Sequence, residues 1–107
     1  MSTIRLVDVA RVVRSKNSGP YELTLDIMFK DRTTYEHFRD RKLVNAELIA
    51  KLYGVSPADI LGVVWFEPAN AVKATLRRLV PSGAPGDTDI YGAQQHGPLL
   101  GLEWNQD

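Results

Sequence analysis

Tyr21, Leu23, Leu25, Ile27 and Phe29 alternate with Glu22, Thr24, Asp26 and Met28. A period of two puts one set of side chains on a core and the other on the opposite face, so this segment predicts a half-buried strand. "NAELIAKLYG" carries the marks of a helix. Asn45 stands at the N-cap, Val44 and Ile49 occupy the positions of a hydrophobic staple, and Gly54 closes the C-terminus. Thr33 to Arg39 also reads as helical, and Ser56-Pro57-Ala58-Asp59 as a short capped turn with proline at its first helical position. "ILGVVWF" (60–66) is a continuous apolar run, which predicts a central strand covered on both faces.

Three segments carry weaker patterns. "IRLVDVARVV" has apolar positions at helical spacing but β-branched content; a short strand or single turn leading into a loop from Arg14 to Pro20 is expected. Ala69, Val72, Leu76 and Leu79 form a stripe that predicts a helix, with Lys73, Arg77 and Arg78 on its surface. After Pro81 the pattern is irregular until "PLLGLEW", expected as a closing strand. The sum is one α+β domain over residues 1–107, with three or four largely antiparallel strands and helices packed on one face. A ferredoxin-like sandwich is the expected architecture.

Composition narrows the function classes. Thirteen basic residues balance thirteen acidic ones in 107 residues. A phosphate-backbone binder draws its affinity from an excess of Lys and Arg, so this balance argues against nucleic acid as partner. "ELIAKLYGVSPADI" imitates the start of a helix-turn-helix, but the apolar strand that follows offers no recognition helix. No cysteine is present, which removes disulfides, thiolate metal sites and cysteine nucleophiles. No apolar run is long enough to span a membrane, and Arg5, Asp8 and Arg11 interrupt any signal-peptide core. A cytoplasmic protein is the expectation.

Two polar clusters stand out as candidate chemistry. "RSKNSGP" offers positive charge from Arg14 and Lys16 and small hydrogen-bonding groups from Ser15, Asn17 and Ser18. Fixed donors and cations of this kind suit a carboxylate or phosphate oxygen, although the Gly-x4-Gly-Lys spacing of a P-loop is missing. "GDTDIYGAQQHGP" gathers Asp87, Asp89, Tyr91, Gln94, Gln95 and His96 between three glycines. Amides donate and accept, and an imidazole moves a proton near neutral pH. His96 is therefore the candidate for proton transfer, with Asp89 orienting it. His37 and His96 are the two histidines and lack the paired spacing of a zinc helix. No metal and no named cofactor is assigned, and no nucleophile-elbow serine is present.

The segments "VVRSKNSGPYELTLDI", "IAKLYGV", "EPANAVKATLRR" and "GDTDIYGAQQHGPLL" resemble a small bacterial and archaeal family of unknown function that occurs beside acyclic-terpene-utilisation (AtuA-type) proteins. The chain is also similar, more loosely, to the C-terminal ferredoxin-like region of the AtuA-type proteins. The resemblance implies a small partner of an AtuA-type large subunit, among enzymes that handle branched or unsaturated carboxylic acids and their thioesters. It implies a hydratase, lyase or isomerase role for the pair by association alone.

Two readings follow from residues and resemblance together. In the first, the domain is the accessory subunit of a two-component enzyme acting on a small carboxylic acid or acyl thioester. Arg14 and Lys16 hold the anion with Ser15, Asn17 and Ser18 assisting, and Tyr91, Gln94, Gln95 and His96 line the reacting side. In the second, it is a non-catalytic module that docks onto the large subunit or onto another copy of itself; a self-contained homo-oligomeric enzyme is a third possibility. The first reading requires the two polar clusters to meet at one end of the sheet.

Overall fold

A computed structural model describes residues 2–19, 21–77 and 97–106. The strand expected from the alternation forms as β3 (Glu22–Phe29) at the centre of a four-stranded sheet. It pairs antiparallel on one side with β2 (Ala10–Gly19) and on the other with β5 (Ala71–Arg77), which in turn pairs antiparallel with β4 (Ile60–Phe66). Strand order is therefore β2-β3-β5-β4, an α+β arrangement with all neighbours antiparallel. The chain crosses from β3 to β4 through α2 (Arg32–Asp40) and α3 (Ala46–Tyr53) and returns through β5 between them. That split β-α-β unit also occurs in ferredoxin-like folds. The strand flanking β3 on the other side arrives by the β2–β3 hairpin.

Leu23, Leu25, Ile27 and Phe29 all point to the helical side and are buried. They meet Val72, Ala74 and Leu76 of β5 and Tyr35, Phe38, Val44 and Ile49 of the helical layer in one core. Ring contacts fix the junction: Phe29 and Phe38 lie 4.7 Å apart, and Tyr35 meets Trp65 edge-on at 5.8 Å. Helices α2 and α3 each start where a side chain satisfies a free N–H. The Asp31 carboxylate accepts from the Thr34 N–H at 2.7 Å, and Asn45 Oδ1 accepts from the Leu48 N–H at 2.9 Å. Helix α3 ends on Gly54 at φ 68°, the left-handed conformation expected of this cap.

The N-terminal segment forms β1 (Ser2–Arg5) and a single turn α1 (Leu6–Val9), and β1 pairs antiparallel with β6 (Glu103–Gln106). Trp104 anchors this ribbon: its indole N–H donates to the Leu43 carbonyl at 3.0 Å and its ring stands edge-on to Phe38. Part of the expected closing strand is instead a 3-10 turn at Gly97–Gly101 that buries Leu99.

Three expectations are corrected. The expected loop from Arg14 is strand: β2 runs through to Gly19, because its backbone groups find partners along β3 from Phe29 to Glu22. The expected helix through Val72 and Leu76 is strand β5, since Val72, Ala74 and Leu76 also satisfy a period of two and pair on both sides. The apolar run 60–66 is an edge strand with one face open, where Val64 is 58% and Phe66 55% exposed.

Candidate functional site

Among the described residues, helices cover one face of the sheet and leave the other open. On the open face the register aligns Arg14 of β2, Asp26 of β3, Lys73 of β5 and Val64 of β4 in a row across all four strands. The adjacent row is apolar: Val12, Met28, Ala71 and Phe66. On the other side of the charged row stand Lys16, Thr24, Thr75 and Gly62. A cleft of about 280 Å³ follows the charged and apolar rows, lined by Arg14, Asp26, Met28, Val64, Phe66 and Lys73 among others.

Asp26 is the unusual member. It lies on the face away from the helices, yet its residue is only 7% exposed, and its neighbour Thr24 on the same face only 4%. Its carboxylate accepts a hydrogen bond from Arg14 Nε at 3.1 Å. Lys73 stands directly opposite it on β5. One buried acid thus lies between two cations, and the Arg14 side chain remains 60% exposed. Lys16 and Lys73 form no ion pair within 4 Å among the described residues. The face therefore carries spare positive charge beside an apolar floor, a combination that suits the carboxylate and hydrocarbon parts of a small organic acid.

Strand geometry divides the expected anion-binding cluster. Successive side chains of a strand point to opposite faces, so Arg14 and Lys16 share the open face while Ser15 and Asn17 turn to the helical side. Ser15 is buried opposite Leu25, and Asn17 is half-buried opposite Leu23. Ser18 is exposed beside the register shift that ends β2. Asp89, Tyr91, Gln94, Gln95 and His96 lie outside the described residues. His37 sits half-buried on α2 against the Phe38 ring at 5.9 Å, away from the open face.

Asp26, Met28 and Lys73 were missing from the expected site. The first two were visible in the alternation of β3 as its non-core set. Lys73 was hidden by the helical reading of β5, and Val64 and Phe66 by the expectation of a strand covered on both sides.

The chain matches, over residues 6–103, the family described as Domain of unknown function (DUF4387). It belongs to that family. The matched span runs from α1 through both helices and the whole four-stranded sheet to the first residue of β6. No curated protein and no solved structure gives a match to this DUF4387 domain. No helix among its described residues is long and apolar enough to cross a membrane.

Proposed function

We propose that this DUF4387 domain is the small, ligand-binding subunit of a two-component cytoplasmic enzyme acting on a small carboxylic acid or acyl thioester, and that its open sheet face is the acid-binding surface. The observation that carries the reading is the row Arg14–Asp26–Lys73 lying against the apolar row Met28–Ala71–Phe66. Arg14, Lys16 and Lys73 receive the anionic group, and Met28, Val64 and Phe66 its hydrocarbon part. Asp26 holds Arg14 in place and keeps the two inner cations from repelling each other. The reacting side remains with Tyr91, Gln94, Gln95 and His96, with Asp89 orienting the imidazole. The partner on this reading is an AtuA-type large subunit, and the reaction a hydratase, lyase or isomerase step. Both rest on the family resemblance, as does the ferredoxin-like affiliation of the split β-α-β unit.

Titration with butyrate, of the domain alone and with an AtuA-type large subunit, tests the reading by heteronuclear NMR. Shifts are expected at the Arg14 Nε–H and at the amides of Lys73 and Val64, and they should be lost in Lys73→Ala. An equal response to butanol, or shifts confined to the helical side, removes the acid-binding role.

The exposure of Val64 and Phe66 favours one alternative, a non-catalytic module whose open face docks onto the large subunit. His96→Ala and Phe66→Ser together separate the two. Under the enzymatic reading turnover is lost and assembly kept, whereas under the docking reading Phe66→Ser abolishes assembly.

A further inference from the structure

The two edges of the main sheet are built differently. Strand β2 carries Arg11, Arg14 and Lys16 and is broken by register shifts at both ends, between Ala10 and Val12 and between Asn17 and Gly19. Charges and bulges are the devices that keep an edge from pairing with another chain. Strand β4 has no charged residue and no proline in Ile60–Phe66, and its one register shift lies at the Ile60 end. Among the described residues nothing pairs with its outer side.

One hydrogen bond sets the phase of the ladder and shows which β4 groups face outward. The Phe29 N–H donates to the Asn70 carbonyl at 2.8 Å. By the alternation of an antiparallel sheet, Ile27, Leu25 and Leu23 then exchange both bonds with Val72, Ala74 and Leu76. Ala71, Lys73 and Thr75 turn their groups towards β4, where they meet Phe66, Val64 and Gly62. The N–H and C=O groups of Val63 and Trp65 are left pointing away from the sheet.

We propose that β4 is the homodimer edge of this domain, pairing antiparallel with β4 of a second copy about a two-fold axis at Val64. An isologous contact requires the strand to complement itself, and this register does so over the regular stretch from Gly62 to Phe66. Val63 faces Trp65 of the second copy, and Trp65 faces its Val63, so all the outward backbone groups of both residues are used. On the open face Phe66 lies opposite Gly62 of the second copy, where a side chain at Gly62 would have nothing within 4 Å. An aromatic ring covering a cross-strand glycine fills that space. On the helical side the Val63–Trp65 contacts pair a β-branched with an aromatic side chain. A cleft of about 430 Å³ lined by Arg39, Val44, Val63 and Trp65 leaves room there for the incoming indole. A register centred on Val63 would instead place the irregular Leu61 opposite Trp65. A β2–β2 contact would bring Arg11, Arg14 and Lys16 against the same cations.

The proposal stands apart from the acid-binding reading, since either can fail with the other intact. Sedimentation of the purified full chain should show a monomer–dimer equilibrium. Val64→Lys, at an exposed position, sets like charges across the axis and should raise the dissociation constant about tenfold or more. Because the chain has no cysteine, single thiols report the register. The Cα atoms of Val64 and its copy, in a non-hydrogen-bonded pair, stand about 4.5 Å apart, within disulfide range. Val64→Cys should therefore oxidise to a covalent dimer far faster than Arg11→Cys on the opposite edge. Phe66→Cys should not link to itself but should link when mixed with Gly62→Cys. A chain that stays monomeric up to about 1 mM, where any specific contact would be weaker than about 4 kcal/mol, overturns the proposal. Equal linking of Val64→Cys and Arg11→Cys overturns it as well.

Discussion

The Arg14–Asp26 pair offers a measurable account of why a carboxylate is buried on an uncovered sheet face. Two limits bracket its strength. Exposed ion pairs contribute about 0.2–1 kcal/mol, while removing one partner of a fully buried pair costs about 3–5 kcal/mol. Asp26 resembles the buried case, with its side chain 10% exposed, but Arg14 resembles the exposed one at 60%. The 3.1 Å Nε–oxygen distance is also longer than the roughly 2.7–2.9 Å of the strongest charge-assisted bonds. A coupling energy of about 1 kcal/mol follows, with Arg14→Gln alone costing somewhat more, about 1.5 kcal/mol, because it leaves the carboxylate facing Lys73 only. Urea denaturation of Arg14→Gln, Asp26→Asn and the double variant isolates the coupling in a double-mutant cycle. The coupling should shrink only in part as salt rises to about 1 M, since one partner is shielded from water. A coupling indistinguishable from zero would show that Asp26 is solvated. Complete loss of the coupling in salt would mean that the pair is an ordinary surface contact. Either result refutes the description of a buried acid.

Four further outcomes follow from the packing. Leu25→Ala, at a core position of the central strand, should cost about 3 kcal/mol in chemical denaturation; a cost below about 1 kcal/mol would mean that the core closes elsewhere. Tyr35 is 0% exposed and its hydroxyl has no hydrogen-bond partner among the described residues. Tyr35→Phe should therefore leave the melting temperature unchanged or raise it, by up to about 1 kcal/mol of stability, and a clear loss would reveal a partner for the hydroxyl. Gly54→Ala meets no neighbouring atom but must hold φ 68°, so it should destabilise by about 1 kcal/mol through the backbone alone. Burial pushes the Tyr53 phenol well above the ordinary tyrosine range. Below pH 10 both states are protonated and nothing changes. Above it the unfolded chain ionises while the folded one resists, so stability should fall as pH rises, and Tyr53→Phe should flatten that fall in urea midpoints taken across the alkaline range.

Segments whose local pattern admits one answer were legible in the sequence. β3 shows a clean period of two, and α3 carries both its caps in the residues Asn45 and Gly54, so both elements form where expected. β5 was not legible because "AVKATLR" satisfies both periods: Val72 and Leu76 sit four apart for a helix and, with Ala74 between them, two apart for a strand. Alanine, leucine and arginine favour the helix, and pairing to β3 and β4 overrides that preference. The run 60–66 suggested burial on both faces, but hydrophobicity alone does not say whether the covering layer is a helix, another chain or water. The same ambiguity split the candidate site. Arg14 and Lys16 were found as residues, yet their neighbours on the open face come from strands whose alignment only long-range pairing decides.

The open face also explains why the two candidate activities need not compete. A dimer joined at β4 keeps both open faces on the same side, because a two-fold axis perpendicular to an antiparallel sheet preserves its faces. The apolar strip through Val64 and Phe66 then continues across the axis, and each charged row begins one strand beyond β4 with Lys73 and runs outward through Asp26 to Arg14. The hydrocarbon end of a bound acid would point towards the dimer contact and its carboxylate away from it. Longer acyl chains should consequently favour the dimer, because apolar ligand surface buried at the shared strip is available only when two copies meet. Sedimentation with hexanoate against acetate at equal ionic strength measures this. Identical dimer fractions with the two acids would show that the strip and the cationic row act independently.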